Sequence, residues 1–290
     1  MNKRNILIQL DCDDQPSVFD RVVAVDSGVD FIFSHASTKP SQVRDLIHGA
    51  IFTRGTKDLK HTAIFVGGSD VVLAKEIHEE VRKHMIQDYG LTVSSMMDAN
   101  GCNTTAVAAV KAVEATLECQ GKRAVVLAAT GPVGQRVSSL LARLGCEVTV
   151  ISRQLEKAVA TCETIRNKRP NSQITATSPK NQNELKNLIQ ECQILVSCGA
   201  AGIQLAQKNT WLNSGLKIAI DLNGVPPAGL EGIEPFDKGM NRSGVICHGA
   251  LGIGGFKMKL HRKCVSSMFE SNQLVLDEDT IFDLSDSVSS

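Results

Sequence analysis

The chain carries no excess of either charge: Lys+Arg and Asp+Glu number 31 each among 290 residues. No field of the whole molecule therefore favours nucleic acid or an anionic membrane. It has no window near the ~18 uninterrupted apolar residues of a membrane-spanning helix. The basic start MNKR leads only to Ile6, Leu7, Ile8 and Leu10 before acid follows. That run is too short for a signal-peptide core and reads as a first strand. There is no CxxC pair. The nine cysteines (12, 102, 119, 146, 162, 192, 198, 247 and 264) are odd in number and scattered through apolar or helical runs. A disulfide framework or zinc knuckle needs tighter clusters, so buried, reduced thiols in a cytoplasmic protein are expected, and no resident metal. Neither a G-x-S-x-G elbow nor a P-loop lysine motif occurs, which argues against hydrolase and kinase chemistry. Internal repeats and low-complexity segments are missing too. Only the acidic, serine-rich end from Asp277 to Ser290 reads as poorly tied down.

What is present is alternation. Strand-like runs at 6–10, 29–35, 61–70 and 91–97 are separated by helix-like ones, one opening near Ser17, another at Thr38-Lys39-Pro40, a third capped by Asp70. Asn103 or Thr104 is the expected cap of a long alanine-rich helix that Gly121 ends. The order then repeats: strand 123–129, helix 133–144, strand 146–151, helix 154–168, strand 173–177, helix 181–191, and strands 193–198 and 217–222. Such alternation implies parallel sheets covered by helices, an α/β protein. The length allows two domains. The expected division is 1–103, 104–249 as a Rossmann-like doubly wound domain, and 250–290 returning to the first domain through a helix at roughly 256–271.

The stretch AVVLAATGPVGQR (124–136) places a small-residue turn between a strand and a helix. It approximates the dinucleotide fingerprint G-x-G-x-x-G, with Ala129, Gly131 and Gly134 in the three key positions. Thr130, Gly131, Pro132, Val133, Gly134 and Gln135 are the candidate pyrophosphate cradle. About twenty residues on, a carboxylate would bind the ribose 2′-hydroxyl of NAD. This strand ends instead in Ser152-Arg153-Gln154, with Lys157 one turn further. A hydroxyl and a guanidinium suit a 2′-phosphate, so NADP is favoured, with NAD open as a second cofactor. The competing reading is that Arg153 and Lys157 are simply solvated.

Three other stretches stand out. QLDCDDQPSVFD gathers Asp11, Asp13, Asp14 and Asp20 at a strand end, where open α/β sheets bind ligands, though Asp, Ser and Pro are also ordinary turn residues. DANGCNT offers Asp98, Asn100 and Asn103 before a helix, more polar groups than a cap requires. HGALGIGGFKMKLHRKC packs four glycines into 249–256 and follows them with Lys257, Lys259, His261, Arg262 and Lys263. A flexible turn feeding a basic helix start favours an anion; a solvated basic face is the alternative. If this part is extended, Lys257 and Lys259 share a side.

With these residues in view, the chain resembles the NADP-dependent methylene-tetrahydromethanopterin dehydrogenases of bacterial one-carbon metabolism over nearly its full length. The likeness is densest at PSVFD (16–20), FTRG (52–55), TAIFVGG (62–68), D-x-N-G-x-N-T-T (98–105), TGPVG (130–134) and GALGIGG with K-x-K-L-H-R (249–262). Departures are Ala129 for the usual glycine and Ser152-Arg153-Gln154 where close relatives read Gly-Arg-Lys. The resemblance implies two α/β domains binding NADP and a reduced pterin. Hydride would pass from the methylene bridge of methylene-tetrahydromethanopterin to NADP, with methylene-tetrahydrofolate as the alternative substrate. It implies that Gly199, Ala200 and Asn223 line the nicotinamide ribose, and that Asp20 and Asp98 face pterin N–H groups or the developing positive charge. Asn100, Asn103 and Lys257 would hold or orient the pterin, and the enzyme would be a homo-oligomer. Two competitors share the architecture: a dehydrogenase for another small substrate, such as a shikimate-like acid, and a non-catalytic NADP-binding sensor.

Overall fold

Buried parallel strands read as near-continuous apolar runs, because helices cover both faces of their sheet; TAIFVG, buried at every residue, is such a run. The structure, a computed structural model, describes residues 3–212 and 214–289; Met1, Asn2, Asn213 and Ser290 lie outside the described residues. The chain divides into two units, one of residues 1–104 with 258–290 and the other of residues 105–257. In chain order, the first stretch runs β1 (Ile6–Asp11), α1 (Val18–Asp26), β2 (Phe31–His35), α2 (Pro40–Ile51), β3 (Thr62–Gly67), α3 (Val71–Lys83), β4 (Ser94–Met97) and α4 (Cys102–Glu114). It continues with β5 (Arg123–Leu127), α5 (Pro132–Arg143), β6 (Glu147–Ile151), α6 (Leu155–Lys168), β7 (Ile174–Thr177), α7 (Gln182–Gln190), β8 (Ile194–Ser197), α8 (Lys208–Trp211) and β9 (Ile218–Asp221). The last elements are β10 (Lys238–Arg242), β11 (Val245–His248), α9 (Ala250–Ser267), β12 (Val275–Leu276) and α10 (Glu278–Leu284).

The first unit holds a parallel sheet in the order β12-β4-β3-β1-β2. β1 sits between β3 and β2, with Ile8 level with Ile64 and Phe33. Leu10, Ile64 and Val66 meet Ile47, Ile51 and Ile77 of the covering helices in one core, each fully buried aliphatic side chain contributing roughly 1.5–3 kcal/mol. The second unit has the order β10-β11-β9-β8-β5-β6-β7. All its pairings are parallel except β10 with β11. Trp211 is fully buried in its core and donates its indole N–H to the Glu231 carbonyl at 3.2 Å.

Several expectations from sequence need correcting. Helix α4 is capped by Asp98 rather than by Asn103 or Thr104. It stops at Glu114 rather than Gly121, because the N–H groups of Thr116 and Leu117 both turn to the Val113 carbonyl and tighten its end. Helix α9 begins at Ala250, not near 256, and the chain re-enters the first unit at Met258 rather than Ala250. The glycines that read as a flexible turn lie at and inside its start. A methyl at Gly249 would overlap the Glu234 carbonyl, and one at Gly252 the Asp237 carbonyl, so glycine here is a packing requirement. Lys257 and Lys259 are therefore helical and about 200° apart around the axis, not on one side. The C-terminal segment is tied down: Asp277 caps α10, and Ile281 and Phe282 are buried. The β10–β11 hairpin and strand β12 went unread.

One buried group sets an acid limit on the fold. Burial pushes the His78 imidazole down to about 4, the Arg82 charge adding to the shift and Asp277 opposing it. Its Nε2 lies 3.0 Å from Ser95 Oγ. The unfolded chain takes up this proton near pH 6.5, so the stabilisation is complete above that pH and is lost as pH falls towards 4, by about 3 kcal/mol. Urea unfolding between pH 7 and 4.5 measures the loss, and His78→Gln should flatten it. A slope unchanged in that variant would assign the acid sensitivity to other groups.

Candidate functional site

In the second unit the strand order reverses direction between β5 and β8, and the carboxyl ends of these strands form the crevice in which doubly wound sheets hold ligands. β5 delivers the chain to Ala128, whose φ of +52° places it in the left-handed region. Ala129, standing where the fingerprint has glycine, is fully buried, and its N–H donates to the Ile151 carbonyl at 3.0 Å. Its φ is not positive, so alanine is accommodated and the turn is made one residue earlier. Gly131 caps α5, and Pro132 occupies its first turn, where the missing N–H costs nothing. Gln135 reaches back to donate to the Thr130 carbonyl at 2.7 Å, which braces the turn. Gly134 lets α5 press on the strand end: a Cβ there would stand 2.6 Å from the Ala129 Cα. Without a side-chain cap, the start of α5 suits a phosphate by its N–H groups and dipole, so the residues present fit a dinucleotide.

Ser152 follows β6, its hydroxyl 3.5 Å from that of Thr130, and accepts from the Gln154 N–H at 3.3 Å. Arg153 and Lys157 are exposed, and among the described residues neither side chain has a hydrogen bond or ion pair. Gly199 and Ala200 follow β8, and Asn223 follows β9. The Asn223 side chain is committed to its own loop. It accepts from the N–H groups of Gly202 (3.3 Å) and Val225 (3.0 Å) and donates to the Pro227 carbonyl at 2.9 Å. Asp221, which sequence reasoning passed over, organises the same loop by accepting from the N–H groups of Asn223 and Leu230. Burial raises its carboxyl against those bonds.

In the first unit Asp11, Gly67 and Asp98 stand at the carboxyl ends of three neighbouring strands. Asp11 is buried and accepts from the N–H groups of Asp13 and Ser17, both at 3.0 Å. Asp13 accepts from Ser69 N–H and Oγ, and Asp14 from Ser37 Oγ. Asp11, Cys12 and Asp13 have ligand atoms within 4.8 Å of one another. Burial and the adjoining carboxylates raise the Cys12 thiol, however, and the two carboxylates are already engaged by protein donors. The turn reading accounts for these residues. Asp20 lies in the first turn of α1, its Oδ2 only 3.4 Å from where a Gly67 Cβ would be.

Asp98 is buried and strongly engaged. Its Oδ1 accepts from the N–H groups of Asn103 (2.8 Å) and Thr104 (3.1 Å), and its Oδ2 from the Thr104 hydroxyl at 2.6 Å. Asn103 is buried and donates its amide to the Met97 carbonyl at 2.6 Å. Asn100 is exposed at the turn, with φ +51°. The His261 ring is buried, stacks on Phe65 at 5.8 Å, and holds Nδ1 3.8 Å from Asp98 Oδ2. The sequence places His261 only in the basic run after the glycines, open to an anion-site or a solvated-face reading; the one signal for it is its place in K-x-K-L-H-R. Lys257 lies half-buried one helical turn earlier on α9. The first N–H groups of α9 are taken by the Pro235 carbonyl, which accepts from Leu251 and Gly252. The expected anion site at a basic helix start is thus not formed there.

The chain is 40% identical over 284 residues to "Bifunctional protein MdtA" of Methylorubrum extorquens, covering 97% of this chain and 98% of that one. The model of the methylene-tetrahydromethanopterin dehydrogenase N-terminal domain matches residues 18–100. The chain belongs to the methylene-tetrahydromethanopterin dehydrogenase family. A second family relative, "NAD(P)-dependent methylenetetrahydromethanopterin dehydrogenase" of the same organism, is 26% identical and covers 94% of this chain and 95% of its own length. The saccharopine dehydrogenase NADP binding domain model matches residues 124–204, the part that carries the glycine turn and Arg153. As a member of this dehydrogenase family the chain is an oxidoreductase, and residues 124–204 are similar to a domain that binds NADP.

Among solved structures, shikimate 5-dehydrogenase from Listeria monocytogenes shares the fold with a TM-score of 0.54 at 14% identity, covering 97% of this chain and 96% of its own. The methylenetetrahydrofolate dehydrogenase-cyclohydrolase of Trypanosoma brucei does so with a TM-score of 0.51 at 15% identity, covering 92% and 87%. These likenesses bear on the α/β fold alone. Among the described residues no helix is long and apolar enough to cross a membrane.

Proposed function

We propose that this family member moves hydride from the methylene bridge of methylene-tetrahydromethanopterin to NADP, leaving the methenyl cation. The observation that carries the reading is the built nucleotide turn, with Gly134 pressed on the strand end and an exposed guanidinium after β6. The nicotinamide supplies the hydride acceptor. Two electrons leave the bridge carbon with its hydrogen, the positive charge stays on the N–C–N unit of the pterin, and no proton is released. The chain therefore has to position and stabilise rather than act as a base.

In this reading the turn from Thr130 to Gln135 cradles the pyrophosphate, Val133 and Gly134 through their N–H groups at the start of α5, and Ser152, Arg153 and Lys157 meet the 2′-phosphate. Gly199, Ala200 and the Asn223 loop line the nicotinamide ribose through their backbone. Asp20 and Asp98 oppose the developing positive charge, with Asp98 doing so while it caps α4. Asn100, Asn103 and Lys257 orient the pterin. The enzyme works in the cytoplasm as a homo-oligomer.

The deciding experiment follows reduced-nicotinamide absorbance with methylene-tetrahydromethanopterin or methylene-tetrahydrofolate, each with NADP or NAD. A rapid rise with the methanopterin substrate and NADP is expected; a flat trace with both pterins, from protein that still binds NADPH, sinks the reading. In the same assay Arg153→Ala should lower the ratio of NADP to NAD efficiency roughly 10–100-fold, the equivalent of one charge-assisted bond of about 1.5–3 kcal/mol. An unchanged ratio would return Arg153 to the solvated surface.

A further inference from the structure

We infer that Asp11 and Ser17 are positioning residues for the hydride transfer, fixing the Asp20 carboxylate at the edge of the first unit's sheet; the inference rests on the function proposed above. Asp11 ends β1 and is fully buried. A buried carboxylate is costly unless its oxygens are hydrogen-bonded. Here both are. Oδ1 accepts from the Asp13 N–H at 3.0 Å, and Oδ2 from the Ser17 N–H at 3.0 Å and the Gln9 amide at 3.3 Å. The first of these bonds closes a local turn, for which a neutral asparagine suffices. Accepting on the second oxygen as well requires a carboxylate, and that oxygen is spent on Ser17, six residues along the chain.

Ser17 passes this anchorage on to Asp20. It is the N-cap of α1, and its Oγ accepts from the Asp20 N–H at 3.2 Å. Arg21 folds back to donate to the Ser17 carbonyl at 3.4 Å and the Pro16 carbonyl at 3.0 Å. The Asp20 backbone is thus tied to the end of β1 in two steps, and with it the direction in which its side chain leaves. That side chain reaches Gly67, at the end of the neighbouring strand β3. An ideal Gly67 Cβ would stand 3.4 Å from Asp20 Oδ2 and 3.3 Å from Asp11 Oδ2. Both carboxylates therefore border one gap, at the strand ends where open α/β sheets hold ligands. Like charges so placed repel, and the bonds through Ser17 keep Asp20 from swinging away. A carboxylate fixed in advance opposes a developing positive charge without reorganising. Phe19 rests on the His261 ring at 6.0 Å, so α1 should stay docked when the Ser17 link is cut.

The test measures kcat and pterin KM for Ser17→Ala, Ser17→Thr and Asp11→Asn, each alone and combined with Asp20→Asn. Ser17→Ala and Asp11→Asn should each lower kcat roughly 10-fold, a fraction of what a 1 Å misplacement can cost, with KM nearly unchanged. Ser17→Thr keeps the capping hydroxyl and should stay within about twofold of wild type. Circular dichroism and NADPH affinity, the latter read in the other unit, should be those of wild type and exclude misfolding. Once Asp20→Asn has removed the charge, neither change should cost anything further in kcat. Wild-type kcat in Ser17→Ala and Asp11→Asn, or in Asp20→Asn itself, overturns the inference and leaves the hydride-transfer reading standing. So does an undiminished loss in the Asp20→Asn background, which would make Asp11 and Ser17 general supports of the fold. A wild type that turns over neither pterin sinks the proposed function and this inference together.

Discussion

Gly134→Val should abolish useful NADP binding. An ideal Cβ at this position stands 2.6 Å from the Ala129 Cα and 2.9 Å from both the Ala128 carbonyl oxygen and the Ala129 carbonyl carbon. All three are backbone atoms, and Ala128 is already held in the left-handed region, so no rotamer change relieves the overlap. Helix α5 has to back away from the end of β5. Overpacking of this kind costs about 1–3 kcal/mol of stability. The larger effect is on the ligand, because the N–H groups that hold the pyrophosphate travel with the helix. A misplacement of about 1 Å can cost a factor of about 100, and NADPH affinity by fluorescence titration should fall at least that far. Gly131→Ala separates the two causes. Its Cβ would meet only the Ala128 carbonyl oxygen at 3.6 Å, so the fold should be unaffected while a close-lying phosphate is crowded. Wild-type affinity in Gly134→Val would mean that this turn is not the cradle.

Asp98→Ala should be the most destabilising single change in the first unit. The carboxylate is buried and satisfies two N–H groups at the start of α4 as well as the Thr104 hydroxyl. Loss of a cap costs up to about 2 kcal/mol, and leaving buried donors without an acceptor adds about 1–3 kcal/mol. A total near 3–4 kcal/mol should lower Tm by roughly 6–15 °C in a chain of this size. Asp98→Asn keeps the Oδ1 acceptor and offers Thr104 a donor in place of an acceptor, so its melting temperature should drop far less. It also removes the charge opposed to the methenyl cation, and kcat should fall about 10-fold or more if that charge acts on the reaction. A folded Asp98→Asn enzyme with normal kcat would leave Asp98 as a helix cap and nothing else.

The role of Asp98 marks how far the sequence could be read. DANGCNT showed three polar groups ahead of a helix, and all three were reasonable ligand candidates. Which of them faces inward depends on the return of β4 beside β3 and on His261 arriving from more than 150 residues away. Local pattern holds no record of that meeting. The acidic loop is similar: Asp13 is occupied by Ser69, which follows a different strand.

By itself the sequence determined the alternation of buried strands and amphipathic helices, the glycine turn after β5 and the cation after β6. Each of these is local: burial on both faces makes a strand uniformly apolar, and a tight strand-to-helix turn admits only small residues. The tertiary structure decided the rest. Four glycines from 249 to 255 looked like a loop, because glycine lowers helix propensity wherever it stands. They lie at and inside the start of a helix, where the 234–237 carbonyls press against Gly249 and Gly252 and leave no room for a side chain, while Gly254 and Gly255 face open space. Likewise, His261 is buried and Val22 exposed because neighbouring elements cover one and leave the other open. Burial is a property of the packed chain, and residue type alone does not determine it.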